Sequence, residues 1–149
     1  MSISANRTAI IAAVATLLIS SPASHASTPA PCSNASLRGD YAFQIDGTNT
    51  NGPFAAVGKS TYDGRGGVTG VFFMSSNGAI IPAHYTGTYA LRADCTAVKS
   101  ANLDIGITVN FYFVVDNNLR EIRMISTDAG STVTGTARKL FSGDGSDQR

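Results

Sequence analysis

Few side chains in this sequence of 149 residues are suited to acid–base chemistry. Glu121 is the only glutamate, and Arg123 follows two residues later, on the same face if the segment is a strand. Inside a small β-barrel, these two side chains beside Tyr112 could bind a polar ligand or stabilise an enolate. His84, the one histidine beyond residue 26, could exchange a proton at the mouth of such a barrel. These four residues form the candidate polar site.

A surface position is the simpler interpretation of the charged pair and of the histidine. Ile122 and Met124 alternate with Glu121 and Arg123, which favours an exposed ion pair on the outer face of a sheet. The same alternation sets His84 on the face opposite its tyrosine neighbours, which favours exposure to solvent. Both interpretations of these residues therefore stay open at the level of sequence.

Other catalytic and cofactor-binding patterns are absent from the sequence. No serine lies in a Gly-x-Ser-x-Gly motif, and the glycine-rich run 64–67 joins two predicted strands instead of leading into a helix. This argues against a hydrolase and against a nucleotide-binding protein. A metal site is a poor interpretation, because the chain beyond residue 26 has one histidine and the sequence has no Cys-x-x-Cys motif. We predict no cofactor and no metal, and the residues assign no catalytic role.

Aromatic side chains form a second candidate site. They fall mostly on the strand faces that a barrel turns inward, and interleaved glycines and alanines leave room beside them. An eight-stranded barrel is either filled by its own side chains or holds one small ligand. The sequence therefore predicts an interior site for a small apolar or aromatic molecule. Its predicted lining is Tyr41, Phe43, Phe72, Tyr85, Tyr89, Phe111 and Phe113.

Eight short runs of alternating apolar and polar residues must position these side chains. They cover residues 41–46, 54–62, 68–75, 80–91, 97–103, 108–115, 119–126 and 131–139. Turn residues such as Asn77-Gly78 separate them, and nearly every connection is short enough for a hairpin. We predict an all-β domain over residues 37–140, an eight-stranded antiparallel up-and-down β-barrel closed between its first and last strands. A β-sandwich is the alternative.

The N-terminal 26 residues have the pattern of a secretory signal peptide. Arg7 precedes an apolar run over residues 9–19, and small residues stand at Ser24 and Ala26. We predict a signal peptide at 1–26, an extension at 27–36, a flexible tail at 141–149, and a secreted or periplasmic protein without a membrane anchor. Without Arg7, ten of the eleven basic residues remain against ten acidic ones. This balance argues against a nucleic-acid partner.

Two cysteines, Cys32 and Cys95, lie in the predicted mature chain. In an oxidising compartment such a pair indicates a disulfide, and two buried free thiols are the alternative. Cys32 precedes the first strand, and Cys95 lies in the turn after the fourth. A meander brings these two places to the same rim of the barrel, so we predict a Cys32–Cys95 disulfide.

The first predicted strand opens with Leu-Arg-Gly-Asp-Tyr at residues 37–41. This resembles the Gly-x-Trp start of lipocalin-type (calycin-like) barrels, with Tyr41 in place of the tryptophan. The resemblance implies that a basic residue late in the last strand, Arg138 or Lys139, lies over the Tyr41 ring. The run 58–70, with its Tyr-Asp-Gly hairpin, is similar to part of the allene-oxide-cyclase and dirigent barrels. The layout also resembles small bacterial secreted barrels, and these resemblances imply a fold and not one activity.

Three classes of function fit such a barrel. Binding of a small apolar or aromatic molecule is the leading prediction, and it requires an open, apolar interior. An enzyme of cyclase or isomerase type requires an ionisable group deep inside the barrel. A secreted interaction or inhibitor protein requires a solid core and a protruding segment, for which residues 27–35 are the candidate.

Overall fold

The structure, a computed structural model, describes residues 31–116 and 118–140. The predicted signal peptide and C-terminal tail lie outside these residues. A short 3₁₀ turn, Asn34–Ser36, precedes eight strands. The strands are β1 (Arg38–Asn49), β2 (Gly52–Asp63), β3 (Gly67–Ser76), β4 (Ala79–Leu91), β5 (Thr96–Leu103), β6 (Thr108–Val115), β7 (Glu121–Ser126) and β8 (Thr134–Lys139). In this part of the chain no helix is long and apolar enough to cross a membrane.

The eight strands form one closed antiparallel barrel in chain order. β1 pairs with β2 along its whole length and closes the barrel against β8, with Tyr41 opposite Lys139 and Asp46 opposite Thr134. The prediction of an up-and-down barrel closed between the first and last strands is confirmed, and the sandwich alternative is wrong. Closure pairs the strand edges that an open meander would expose.

Local sequence explains the strand boundaries. Asn77 (φ 48°) and Gly78 (φ 86°) both adopt positive φ in the turn between β3 and β4, as a two-residue Asn-Gly hairpin turn requires. Pro82 lies inside β4, before the ladder with β5 begins at Tyr85. The amide of His84 points toward β5 and donates to the Asp104 carboxylate. Residue 82 has the same orientation, and at that position β4 has no partner strand on the β5 side. Pro82 therefore removes no hydrogen bond from the sheet.

Aromatic rings fill one end of the barrel, here called the closed rim. Tyr62 makes edge-on contacts with Tyr41, Tyr89 and Phe113, at centroid separations of 5.4, 5.1 and 6.5 Å. The Tyr41 hydroxyl donates to the Leu119 carbonyl oxygen at 2.6 Å, and the Tyr89 hydroxyl lies 2.9 Å from the Leu37 carbonyl oxygen. These hydrogen bonds satisfy hydroxyl groups that would otherwise be buried without a partner. Together with the ring contacts, they make this end of the barrel a packed core.

A disulfide fastens the N-terminal segment over the closed rim. Cys32 and Cys95 are bonded, with their Cα atoms 5.1 Å apart, as predicted. The Cys32 amide donates to the Ala93 carbonyl oxygen, and the Asn34 side chain accepts a hydrogen bond from the Leu91 amide. Residues 31–36 are thus held against the barrel and do not protrude from it. A disulfide is typical of an oxidising, extracytoplasmic compartment.

A lysine lies over the ring of Tyr41 at the closed rim. The Lys139 amine is 5.8 Å from the Tyr41 ring centroid, inside the range in which a cation and an aromatic face attract. The expected contact of a basic residue with Tyr41 is therefore confirmed for Lys139. Arg138, one residue earlier, points outward and reaches Glu121 instead.

Candidate functional site

An apolar cavity of about 380 Å³ occupies the barrel interior beyond the aromatic core. It extends to the opposite rim, here called the open rim, which is formed by the turns at residues 50–51, 77–78 and 104–107 and by the connection 127–133. Ile105 and Ile107 line it at this rim and are 41% and 46% exposed. The volume lies within the range of about 300–1,000 Å³ typical of small-molecule pockets.

The cavity exists because the aromatic residues are unevenly distributed along the barrel. All seven predicted aromatics face the interior, but Tyr41, Tyr89 and Phe113 belong to the packed core at the closed rim. Small inward residues, Ala56 on β2 and Ala101 on β5, lie nearer the open rim. The four predicted aromatics that line the cavity are Phe43, Phe72, Tyr85 and Phe111.

A buried lysine, absent from the predicted site, contributes a charged group to the cavity wall. Lys99 lies on the same inward face of β5 as the buried Ala97 and Ala101, and it is only 7% exposed. Its amine lies 4.4 Å from the Tyr85 ring centroid and 5.9 Å from that of Phe111. Burial among these apolar groups lowers the pKa of Lys99 from 10.5 to about 7, because the charged form loses its hydration.

A chain of hydrogen bonds connects this amine to two hydroxyl groups. The Lys99 Nζ donates to the Tyr85 hydroxyl at 2.9 Å, and that hydroxyl shares a 2.5 Å hydrogen bond with the Ser60 Oγ. Burial raises the pKa of Tyr85 to about 12, although its hydrogen bond with Ser60 has the opposite effect, so the phenol stays protonated at neutral pH. This polar cluster can therefore both donate and accept protons inside an apolar chamber.

The strand register explains how Tyr85 reaches Ser60. Gly70 lies between them, opposite Ser60 on β2 and opposite Tyr85 on β4. A Cβ atom on Gly70 would overlap the Tyr85 ring and the Lys59 carbonyl oxygen. The missing side chain thus leaves the space across which the ring of Tyr85 extends.

We expect Gly70→Ala to lower the free energy of unfolding by about 1–3 kcal/mol, as overpacking of an interior does. The neighbouring outward-facing Thr69→Ala should change it by less than about 1 kcal/mol. Urea unfolding of both variants tests this. Equal effects of the two substitutions would show that Gly70 does not make room for Tyr85.

The candidate polar site predicted from the sequence lies on the outside of the barrel. Arg123 contacts Glu121 at 2.9 Å, and Arg138 contacts it at 3.4 Å, with both arginine side chains about 80% exposed. Tyr112 and His84 also face outward, on β6 and β4. The lumenal interpretation of these residues is therefore wrong, because alternation gives the interior positions of β7 to Ile122 and Met124.

A carboxylate lies where the cavity meets the open rim. Asp128 accepts hydrogen bonds from the Asn110 amide at 2.9 Å and from the Asn110 side chain at 2.8 Å, and it contacts the Ser126 hydroxyl. It is the one carboxylate among the residues that line the cavity in the described part of the chain. These partners hold it at the rim, on the β7–β8 connection.

Comparisons with known proteins show similarity in fold alone. No family model and no curated protein matches the chain. A de novo designed fluorescence-activating β-barrel aligns at 18% identity and a TM-score of 0.49, over 69% of this chain and 93% of that one. A redesigned barrel, mFAP1, bound to DFHBI, aligns at 18% identity and 0.48, over 71% and 97%. A second redesigned barrel, mFAP0, bound to DFHBI, aligns at 18% identity and a TM-score of 0.46, over 70% of this chain and 99% of that one.

Proposed function

We propose that this protein binds one small apolar or aromatic molecule inside the barrel, with access through the open rim. The observation that carries the proposal is the apolar cavity of about 380 Å³, walled by Phe43, Phe72 and Phe111, with Lys99 and Tyr85 among the few polar groups in its wall. A chamber with mostly apolar walls and a few convergent polar groups is the usual form of a small-molecule site.

Filling the cavity should abolish binding. Ala101 lines the cavity and is 1% exposed, so Ala101→Phe places a ring where a ligand would lie. We expect the parent protein to bind the neutral dye Nile red with a rise in fluorescence, and Ala101→Phe to weaken the affinity at least 10-fold, about 1.4 kcal/mol. Fluorescence titration measures both affinities.

Ala42→Phe is the matched control, because Ala42 is exposed on the outer face of β1. The same substitution there should leave the affinity unchanged, and circular dichroism should show that both variants keep the barrel. Nile red binding that survives Ala101→Phe would place the dye outside the cavity and contradict the proposal.

An enzyme of cyclase or isomerase type is the second candidate function. The observation in its favour is Lys99, an ionisable group deep inside the barrel, beside the protonated Tyr85 hydroxyl. An interaction or inhibitor protein has less support, because the interior has a cavity and residues 31–36 are held down by Cys32 and Asn34.

We also propose that the protein is secreted or periplasmic. The Cys32–Cys95 disulfide supports that location, as does the signal-peptide pattern of residues 1–26. Expression with export to the periplasm, followed by N-terminal sequencing, tests it. Cleavage after Ala26 is the expected result, and retention of the leader would contradict it.

A further inference from the structure

We propose that Lys99 is a nucleophilic amine that forms a reversible imine with an aldehyde or ketone group of the molecule held in the cavity. The inference rests on the proposed binding function, because the carbonyl compound must first enter the barrel. It adds the chemical class of the ligand and the atom that recognises it.

The position of Lys99 distinguishes it from the other lysines. The sequence has three, and Lys59 and Lys139 are exposed, the first paired with Asp40 at 2.9 Å and the second over Tyr41. Of the three lysines, only Lys99 lines the cavity. None of the ion pairs formed by residues 31–116 and 118–140 includes it. Within the described part of the chain, no carboxylate therefore forms an ion pair with its amine.

The surroundings of the amine favour its neutral, reactive form. Its neighbours are the uncharged hydroxyl groups of Tyr85 and Ser60 and the ring of Phe111. The carboxylate of Asp128 is held at the open rim by Asn110. With its pKa lowered to about 7 by burial, a substantial fraction of Lys99 is unprotonated at neutral pH. An ordinary lysine, with a pKa of about 10.4, has a neutral fraction of less than about one in a thousand. Desolvation in an apolar pocket is one way in which proteins activate lysine for imine formation.

The groups around Lys99 can carry the whole reaction. The neutral Nζ attacks the carbonyl carbon and forms a C–N bond, giving a carbinolamine after proton transfer from nitrogen to oxygen. The C–O bond then breaks, and the oxygen leaves as water with both protons that the amine has lost. Tyr85, 2.9 Å from the Nζ, can donate a proton to the leaving hydroxyl and recover one from nitrogen, with Ser60 as its hydrogen-bond partner. No oxidant or reductant is needed.

Reductive trapping with an aromatic aldehyde tests the inference. The full protein is incubated with cinnamaldehyde and sodium cyanoborohydride at pH 7, and the modified residue is located by peptide mass spectrometry. We expect Lys99 to react on the order of 100-fold faster than Lys59 and Lys139, given its larger neutral fraction and the lower nucleophilicity of a less basic amine.

Two variants separate the chemistry from the fold. Tyr85→Phe keeps Lys99 and should slow trapping about 10-fold or more, because the neighbouring proton donor is lost. Lys139→Met is the control and should leave the rate at Lys99 unchanged. Nile red binding by each variant reports that the cavity is intact.

Competition experiments distinguish failure of this inference from failure of the binding function. Cinnamyl alcohol has the same skeleton without the carbonyl, and cinnamate has a carboxylate in its place. If the alcohol displaces Nile red while Lys99 is trapped no faster than Lys59, imine formation is refuted and binding stands. If cinnamate binds more tightly than the alcohol and no trapping occurs, Lys99 is an ion-pair partner, and the inference is again refuted. If Nile red does not bind at all, the proposed function fails as well.

Discussion

Replacing Lys99 with methionine should stabilise the protein at pH 6, by several kcal/mol and at most about 5 kcal/mol. Methionine has a similar length and no charge, so it fills the same space without the cost of burying an ammonium group. The upper value corresponds to the difference between the ordinary pKa of 10.5 and the pKa of about 7 in the fold. Urea unfolding of the parent and of Lys99→Met measures the difference.

The gain from Lys99→Met should depend on pH in a defined direction. Below about pH 7, Lys99 is protonated in both the folded and the unfolded chain, and the burial penalty is fully present. Between pH 7 and 10.5 the unfolded chain binds the proton and the folded chain does not, so the parent protein gains stability as the pH rises. The advantage of Lys99→Met should therefore shrink by about 3 kcal/mol between pH 7 and pH 9.5.

Exposed Lys59 provides the matched control for this effect. Lys59→Met makes the same substitution at an exposed lysine, where there is no burial penalty to relieve. The series ends at pH 9.5 because burial raises the pKa of Tyr41 and of Tyr85 to about 12, so tyrosine ionisation opposes folding at higher pH. A stability difference between Lys99→Met and the parent that stays constant from pH 6 to 9.5 would show that the amine is hydrated in the fold.

Removing the disulfide should cost about 4 kcal/mol of unfolding free energy. The Cys32–Cys95 bond closes a loop with a sequence separation of 63 residues, for which the chain-entropy relation gives about 4 kcal/mol. This is a large fraction of the roughly 5–15 kcal/mol that stabilises a typical domain. Denaturant unfolding of the Cys32→Ser/Cys95→Ser double variant tests the value.

Reduction of the parent protein gives an independent check on the same quantity. A reduced parent should match the double variant in stability, since both lack the covalent constraint. The cavity should survive, because the bond lies at the closed rim and the cavity extends to the open one. Loss of less than about 1 kcal/mol in the double variant would show that hydrogen bonds such as that of Asn34 hold the N-terminal segment on their own.

Alternation and turn residues were sufficient to predict the barrel. The pattern predicts that Phe111 and Phe113 face inward, and the structure buries both of them on one face of β6. It also set Glu121 and Arg123 opposite Ile122, which is the arrangement observed. Such patterns are reliable because side chains alternate strictly across a strand, whatever the strand pairs with.

The polar cluster in the cavity depends on information that alternation does not contain. The phase of Ala97 and Ala101 indicated that Lys99 faces inward, so this residue could have been found. Its contact with Tyr85 depends on the register between β4 and β5, in which Tyr85 lies opposite Leu103 and Lys99 opposite Tyr89. A shift of two residues that set Tyr85 opposite Ile105 would keep both side chains inside and move them further apart.

The division of the interior into a packed core and a cavity also could not be predicted from the sequence. Seven inward aromatics could have filled the whole barrel. They leave a cavity because Tyr41, Tyr89 and Phe113 meet Tyr62 at one rim. That meeting is set by the stagger of strands around the closed sheet, which depends on every register at once.

The methionine methyl groups give the most direct test of the binding site. Met74 and Met124 both line the cavity, on β3 and β7, and each is less than 10% exposed. In NMR spectra of protein with ¹³C-labelled methionine methyls, a saturating amount of Nile red should shift both signals and give nuclear Overhauser contacts from each methyl to the dye. Saturable dye binding with both methyl signals unchanged would contradict the account, because the molecule would then lie outside the barrel.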